Sequence, residues 1–152
     1  MANGTTYQFN VKETDLAGNT SAATSNFAVT GDTTAPSVDN FTLSGTVLKA
    51  GDNSTVTLVF SEAVASFSSS GDIALDNGTV ANGTLATMTS SDNITWTGTF
   101  TPTANTEDAS NTLSLATSYT DTAGNAGPAA TCLLYTSPSP RDRTRSRMPS
   151  SA

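Results

Sequence analysis

The side chains that could do chemistry in this sequence are almost all carboxylates. Upstream of Cys132 the chain contains no histidine and no cysteine, which excludes zinc sites, disulfides and thiol catalysis there. A nucleophile activated by a histidine base is excluded for the same reason. What remains is the chemistry of carboxylate oxygens, which serve in acid–base catalysis or in binding hard cations such as calcium.

Catalysis by a carboxylate pair is suggested by Glu107 and Asp108, which are adjacent in the polar stretch TEDAS. Two catalytic carboxylates need environments that separate their pKa values, usually through an apolar pocket. The sequence around this pair implies no such pocket. A solvated loop is therefore the favoured interpretation, and we do not expect the chain to be an enzyme.

Three further aspartates, Asp72, Asp76 and Asp92, lie near predicted turns. Short polar side chains of this type accept hydrogen bonds from nearby backbone amides and so favour turns. We interpret them as turn-forming residues, with a second cation site as the less favoured alternative.

The charge of the chain restricts its partners. Before Cys132, Lys12 and Lys49 are the only cations against twelve acidic residues, a net charge of −10. Such a surface repels phosphate backbones and anionic lipids, so neither nucleic acid nor a membrane surface is an expected partner. No apolar run is long enough to span a bilayer, and the start MANGTTYQFNV lacks the features of a secretory signal.

An internal repeat organises the sequence. Residues 14–24 read TDLAGNTSAAT, and residues 120–131 read TDTAGNAGPAAT, about 106 positions later. This spacing is close to the roughly 100 residues of an immunoglobulin-sized sandwich. Each copy follows an alternating apolar run, and its Gly and Asn suit the positive φ angles of a tight turn. Each copy is therefore predicted to be the last hairpin of a β-domain.

The residues between the two copies predict an all-β, immunoglobulin-like β-sandwich of about seven strands. Val56, Leu58 and Phe60 alternate along one face of the clearest strand. Trp96 has the phase of a core residue, whereas Phe67 is interpreted as a loop aromatic. No stretch has a convincing helical period. The predicted strands are 38–44, 55–60, 72–75, 84–88, 94–100, 113–119 and a last strand from about residue 129.

Three segments follow from this pattern. Residues 1–31 are predicted to be the C-terminal hairpin of a truncated preceding repeat, and residues 32–131 a complete Ig-like domain with a truncated or replaced last strand. Residues 132–152 differ in composition, because all four arginines of the chain lie there. We interpret them as a non-native tail that is disordered beyond a short stretch.

The segments DTTAPSVDNFTLS, TVTLVFSEAV, ITWTGTFTPTAN and EDASNTLSLATSYTDTAGN resemble the tandem bacterial Ig-like repeats of giant surface adhesins. The resemblance implies secretion through type I machinery and an extracellular location on the bacterial cell surface. It implies a spacer function in a stalk that supports adhesion or biofilm. The partners would be neighbouring repeats of the same chain and, through a distal tip, a host or matrix surface. Calcium at domain junctions would stiffen the stalk.

A junction site also follows from the geometry of such a sandwich. The incoming linker reaches the end that carries two loops, which here contain Glu62 and Asp121, and the linker itself contains Asp32. Three carboxylates from separate segments, with backbone and amide carbonyls, would form a hard oxygen site for calcium. The alternative is that Glu62 and Asp121 only cap their loops and face solvent.

A second function class is a ligand-binding Ig-like module that recognises a glycan or a surface protein. The spacer interpretation is favoured because the segment repeats and because no exposed aromatic cluster is predicted.

The tail resembles the translation of a short-read sequencing adapter. In one frame, transposon-end bases encode Cys132–Ser137, and adjoining adapter bases encode 138–142 and 146–152, separated by a gap the length of a sample index. The arginines are therefore not interpreted as a nucleic-acid arm. Leu133 and Tyr135 alternate well enough for residues 132–135 to imitate a final strand, with disorder expected beyond it.

Overall fold

The computed structural model describes residues 1–48, 51–75, 82–103 and 108–136, in two compact units. The first unit is Met1–Thr34, and the second begins at Ala35. Asp76, Glu107 and the predicted tail from residue 137 onward lie outside the described residues.

The first unit is built on a β-hairpin. Strand β1 (Thr6–Phe9) pairs antiparallel with β2 (Phe27–Thr30), with Tyr7 opposite Val29 and Phe9 opposite Phe27. The Phe9 and Phe27 rings stack with their centroids 5.5 Å apart. Side chains alternate between the two faces of a strand, so these four residues form one apolar face.

The second unit is a sandwich of two four-stranded sheets, ordered β3-β5-β8-β7 and β4-β10-β9-β6. Every pairing is antiparallel except that of β10 with β4. This confirms the predicted all-β, Ig-like sandwich. The strands are β3 (Val38–Leu43), β4 (Val47–Leu48), β5 (Ser54–Phe60), β6 (Ile73–Leu75), β7 (Gly83–Leu85), β8 (Thr95–Pro102), β9 (Asp108–Leu115) and β10 (Ala130–Thr136).

The core forms where the alternating side chains of the two sheets meet. On β5, Val56, Leu58 and Phe60 are buried, as their alternation predicts, and on β9 Leu113 and Leu115 are buried from the opposite sheet. These residues belong to one hydrophobic cluster. Burying such side chains is the main source of stability in a sandwich of this size.

Phe67 lies in a loop, as predicted, but the sequence did not predict that its side chain is buried in the core. Its ring lies edge-on to those of Phe60, Trp96 and Tyr119, at centroid distances of 5.7, 4.8 and 6.4 Å. The sequence ASFSSSG has no alternating pattern from which this burial could be predicted. The burial results from aromatic rings that are distant in the sequence. Trp96 packs partly buried against the core, as its phase predicted.

Several predicted strand boundaries differ from the structure: β7 ends at Leu85 rather than at residue 88, and β9 begins at Asp108 rather than at residue 113. Strand β9 ends at Leu115 rather than at residue 119, and a one-turn helix, α1 (Ser69–Asp72), and the two-residue β4 were not predicted. Both of these elements are too short to show a helical or strand pattern of apolar residues in the sequence. Strand β10 continues to Thr136, so residues 132–136 complete the sandwich and the predicted boundary at residue 131 lies inside a strand.

The chain enters and leaves the sandwich at opposite ends. Val38 at the start of β3 pairs with Phe60 at the end of β5, and Ala130 at the start of β10 pairs with Leu115 at the end of β9. Both β3 and β10 therefore run away from the same end, which also carries the loops after β5 and β9. We call it the linker end. Residue 136, at the end of β10, lies opposite Asp108 at the other end.

Candidate metal site

Asp121 organises the turn between β9 and β10. Its Oδ1 accepts hydrogen bonds from the backbone amides of Ala123 (2.8 Å) and Asn125 (2.9 Å), and its Oδ2 accepts one from the Asn125 side chain (2.7 Å). Gly124 has φ +93°, a conformation that glycine adopts without steric cost. The Asp121 side chain is 1% exposed. The D-x-A-G-N sequence therefore folds into a turn closed by its own aspartate.

The first repeat copy folds into the same turn. Asp15 Oδ1 accepts hydrogen bonds from the amides of Ala17 (2.9 Å) and Asn19 (2.8 Å), and Oδ2 accepts one from the Asn19 side chain (2.9 Å). Gly18 has φ +88°. The sequence repeat is thus also a structural repeat.

These hydrogen bonds favour the ionised carboxylate in both turns. Burial alone would raise the pKa of Asp121, but hydrogen bonds from the Asn125 side chain and from the backbone of residues 123–125 hold it below its ordinary value. The Asn19 side chain, together with backbone amides, lowers the pKa of Asp15. A carboxylate that accepts several N–H groups remains charged at neutral pH.

Glu62 lies beside Asp121 at the linker end. It is half-buried, two residues after β5 ends, and Val64 forms a β-bridge with Asp121. Carboxylate oxygens of Glu62 and Asp121 lie within 4.8 Å of each other. The fold therefore brings together two of the three predicted ligands, from loops 59 positions apart in the sequence.

Asp32 lies in the first unit and is exposed. Its carboxylate accepts a hydrogen bond from the backbone amide of Thr34 at 3.0 Å. Ser37 and Ser61 are hydrogen-bonded in both directions, at 2.9 and 3.0 Å. Ser37, five residues after Asp32 in the sequence, is therefore bound to the residue that directly precedes Glu62.

The described residues offer the donor type that calcium prefers. Calcium takes six to eight oxygen ligands from carboxylates, carbonyls and water. Asp121 Oδ2 accepts a hydrogen bond from the Asn125 side chain, and a carboxylate oxygen has more than one lone pair with which to bind donors or a cation. Two charged oxygens at this separation repel each other, and a divalent cation between them would remove that cost.

Comparison with known proteins agrees with the fold. A family model of the bacterial Ig-like domain matches residues 32–136. The chain belongs to the bacterial Ig-like domain family. Searches of curated proteins and of solved structures found no match.

The Ig-like domain defined by this match ends where β10 ends, at Thr136. Domains of this class are typically non-enzymatic and often occur in surface proteins. Among the residues that the structure describes, no helix is long and apolar enough to cross a membrane.

Two other aspartates of the Ig-like domain, Asp92 and Asp72, accept hydrogen bonds within the domain. Asp92 accepts hydrogen bonds from the amides of Ile94 and Thr95, both at 2.9 Å, as a turn-forming residue does. Asp72 is buried, which the sequence did not predict. It accepts hydrogen bonds from the Ser68 amide at 2.7 Å and from the Ser118 hydroxyl, so it closes α1 and ties it to the segment after β9.

Asn125 is the residue of the site that sequence reasoning missed. It binds both oxygens of Asp121, through its backbone amide and its side chain. The signal was present, because Asn19 occupies the same place in the first copy of the motif.

Proposed function

We propose that this protein is a spacer repeat of a bacterial cell-surface adhesin stalk, with calcium at its domain junctions. The observation that carries the proposal is that the chain enters the sandwich at the linker end and leaves it, after β10, at the opposite end. Because β3 and β10 both run away from the linker end, successive domains joined in this way extend head to tail. With strands of seven or eight residues, each domain adds on the order of 25 Å of strand length.

Calcium is the proposed rigidifying ion, held by Glu62 and Asp121 with Asp32 of the linker as a third ligand. The support is the closeness of the Glu62 and Asp121 carboxylates, and the arrival of the incoming chain beside Ser61. If Asp32 binds the same ion as Glu62 and Asp121, the linker can no longer rotate freely relative to the domain. Extracellular modules of this type bind calcium with a Kd of roughly 10⁻⁴–10⁻³ M.

Thermal melting of the chain in calcium and in EDTA tests the site. At about 5 mM calcium, linkage predicts a stabilisation of roughly 1–2 kcal/mol, which raises the melting temperature by about 5–10 °C. Glu62→Gln should abolish most of this increase, because it removes a ligand charge while keeping the shape of the side chain. Asp15→Asn is the matched control, since it changes the same turn in the first repeat copy and should leave the calcium response intact.

A calcium-independent melting temperature in the native chain contradicts the site. The spacer function itself is tested by X-ray scattering from a protein with three tandem copies of residues 32–136, which include the whole of β10. We expect an extended particle whose maximum dimension grows with copy number, and a larger value in calcium than in EDTA. Compact particles, or micromolar binding of the single domain on a glycan array, would instead favour the ligand-binding module.

A further inference from the structure

The β1–β2 hairpin exposes apolar side chains that a two-stranded element cannot bury by itself. Phe9, Val11 and Phe27 are 40%, 59% and 53% exposed. Phe9, Phe27, Tyr7 and Val29 share one face, as the cross-strand register requires. The opposite face is polar or small, with Gln8 opposite Ala28 and a hydrogen bond between the Thr6 and Thr30 hydroxyls at 3.0 Å.

In the second unit, the equivalent hairpin of β9 and β10 packs its apolar face against the facing sheet. Counting back 106 positions from the second turn motif, Leu113 and Leu115 of β9 correspond to Tyr7 and Phe9 of β1. Leu113 and Leu115 are 0% and 2% exposed. They are buried in the core cluster that also contains Leu58, Phe60 and Phe100 of the facing sheet. The same two positions are thus core in β9, whereas in β1 Tyr7 is half-buried and Phe9 is exposed.

We propose that the apolar face of the β1–β2 hairpin is the closing surface of an Ig-like sandwich. Its occupant is a sheet of the β3-β5-β8-β7 type, supplied by another copy of the same repeat. The argument rests on the duplicated turn, whose two aspartates accept equivalent hydrogen bonds, and on the apolar positions shared by β1 and β9. It does not depend on calcium.

The size of the exposed side chains agrees with this occupant. Aromatic rings at positions 7 and 9 are larger than the leucines at the matching positions of β9, so they bring ample apolar area to a sandwich core. An exposed apolar patch on a sheet face is a frequent site of association. The sheet that faces β9 would meet the same alternation of apolar side chains on β1.

Hydrogen exchange on an extended chain tests the proposal. Residues 32–107 are placed directly before Ala2, which restores the order of one complete repeat ahead of the existing chain. In EDTA, the amides of β1 and β2 should exchange at least a hundredfold more slowly in the extended chain than in the chain itself, because local opening then requires opening of a sandwich. The protected amides should include those of Tyr7 and Val29, in the middle of the hairpin.

Two variants of the extended chain separate docking on the apolar face from a general effect of length. Phe9→Ser with Phe27→Ser should return exchange to within about tenfold of the original chain, whereas Gln8→Ser with Ala28→Ser, on the other face, should keep the protection. An extended chain in which these amides stay unprotected, whether or not the added segment folds, overturns the proposal. Protection that survives the Phe9/Phe27 double variant overturns it as well.

Discussion

At the residue scale, Asp121 closes a turn and is also one of the ligands of the proposed calcium site. Asp121 closes its turn through three hydrogen bonds, two of them from Asn125, and it also lies beside Glu62. If calcium binds as proposed, a turn that is already fixed would hold the carboxylate in place, so little order would be lost on binding. The loop-capping and ligand interpretations of Asp121 are therefore compatible.

The depressed pKa of Asp121 predicts a pH-dependent contribution to stability. Because the folded state favours the ionised carboxylate, the contribution is present at neutral pH and is lost as the pH falls below about 4, through the folded pKa. Urea unfolding in EDTA should show Asp121→Asn less stable than the native chain at pH 7. The difference should shrink between pH 4 and pH 2.5. A difference that stays constant over this range would show that charge is not what stabilises the turn.

Gly127 is predicted to tolerate no side chain. A Cβ atom there would lie 2.2–2.4 Å from ring atoms and the hydroxyl oxygen of Tyr119. Tyr119 is fully buried and donates a hydrogen bond from its hydroxyl to the Pro128 carbonyl at 2.8 Å. Gly127→Ala should lower the free energy of unfolding by about 1–3 kcal/mol through overpacking.

The control for Gly127→Ala is Gly45→Ala, where a new Cβ would meet only Leu48 at an ordinary 3.7 Å. Denaturant unfolding of both variants checks the prediction. Equal stability of the two would mean that the Tyr119 ring can move aside at little cost.

At the element scale, the strands with clean alternation were predictable and the segments without it were not. The strand at β5 was predicted to within one residue, because Val56, Leu58 and Phe60 face one core. The segment after Leu115 leaves the ladder, and Tyr119 turns inward to bind the carbonyl of Pro128. The sequence of residues 116–119 continues the pattern of a strand, and only the tertiary hydrogen bond of Tyr119 shows that the strand has already ended.

The two faces of the last hairpin give a matched prediction. Leu113 on β9 is fully buried, whereas Leu133 on β10 is 58% exposed. Leu113→Ala should cost about 2–5 kcal/mol, because it leaves a cavity in the core. Leu133→Ala should change the free energy of unfolding by less than about 0.5 kcal/mol. Urea denaturation measures both, and a similar cost at the two positions would contradict the assigned faces.

At the scale of the whole molecule, the candidate site was predictable because topology alone decides which loops share an end of a sandwich. Glu62 and Asp121 were predicted from the order of the strands, and the fold places them together. The end of the domain was not predictable in the same way. The sequence changes character at Cys132, yet Cys132 is buried in the core and β10 continues to Thr136.

Truncation tests where the domain ends. Removing residues 137–152 should leave the unfolding free energy within about 0.5 kcal/mol of the original, because the family match and β10 both end at residue 136. Removing residues 132–152 should abolish cooperative unfolding, since it deletes most of a strand that pairs with β9 and β4. A cooperative transition in the shorter chain would show that β10 is dispensable.

The direction of β10 also decides how the domain would carry tension. Pulling on a chain whose ends leave from opposite ends of the sandwich draws β10 along its own axis, past β9 on one side and β4 on the other. The hydrogen bonds between antiparallel strands run across that axis, so they bear the load together in shear and do not open one at a time. A domain loaded in this way resists force through the whole length of its last strand, which is the property that the proposed spacer function requires.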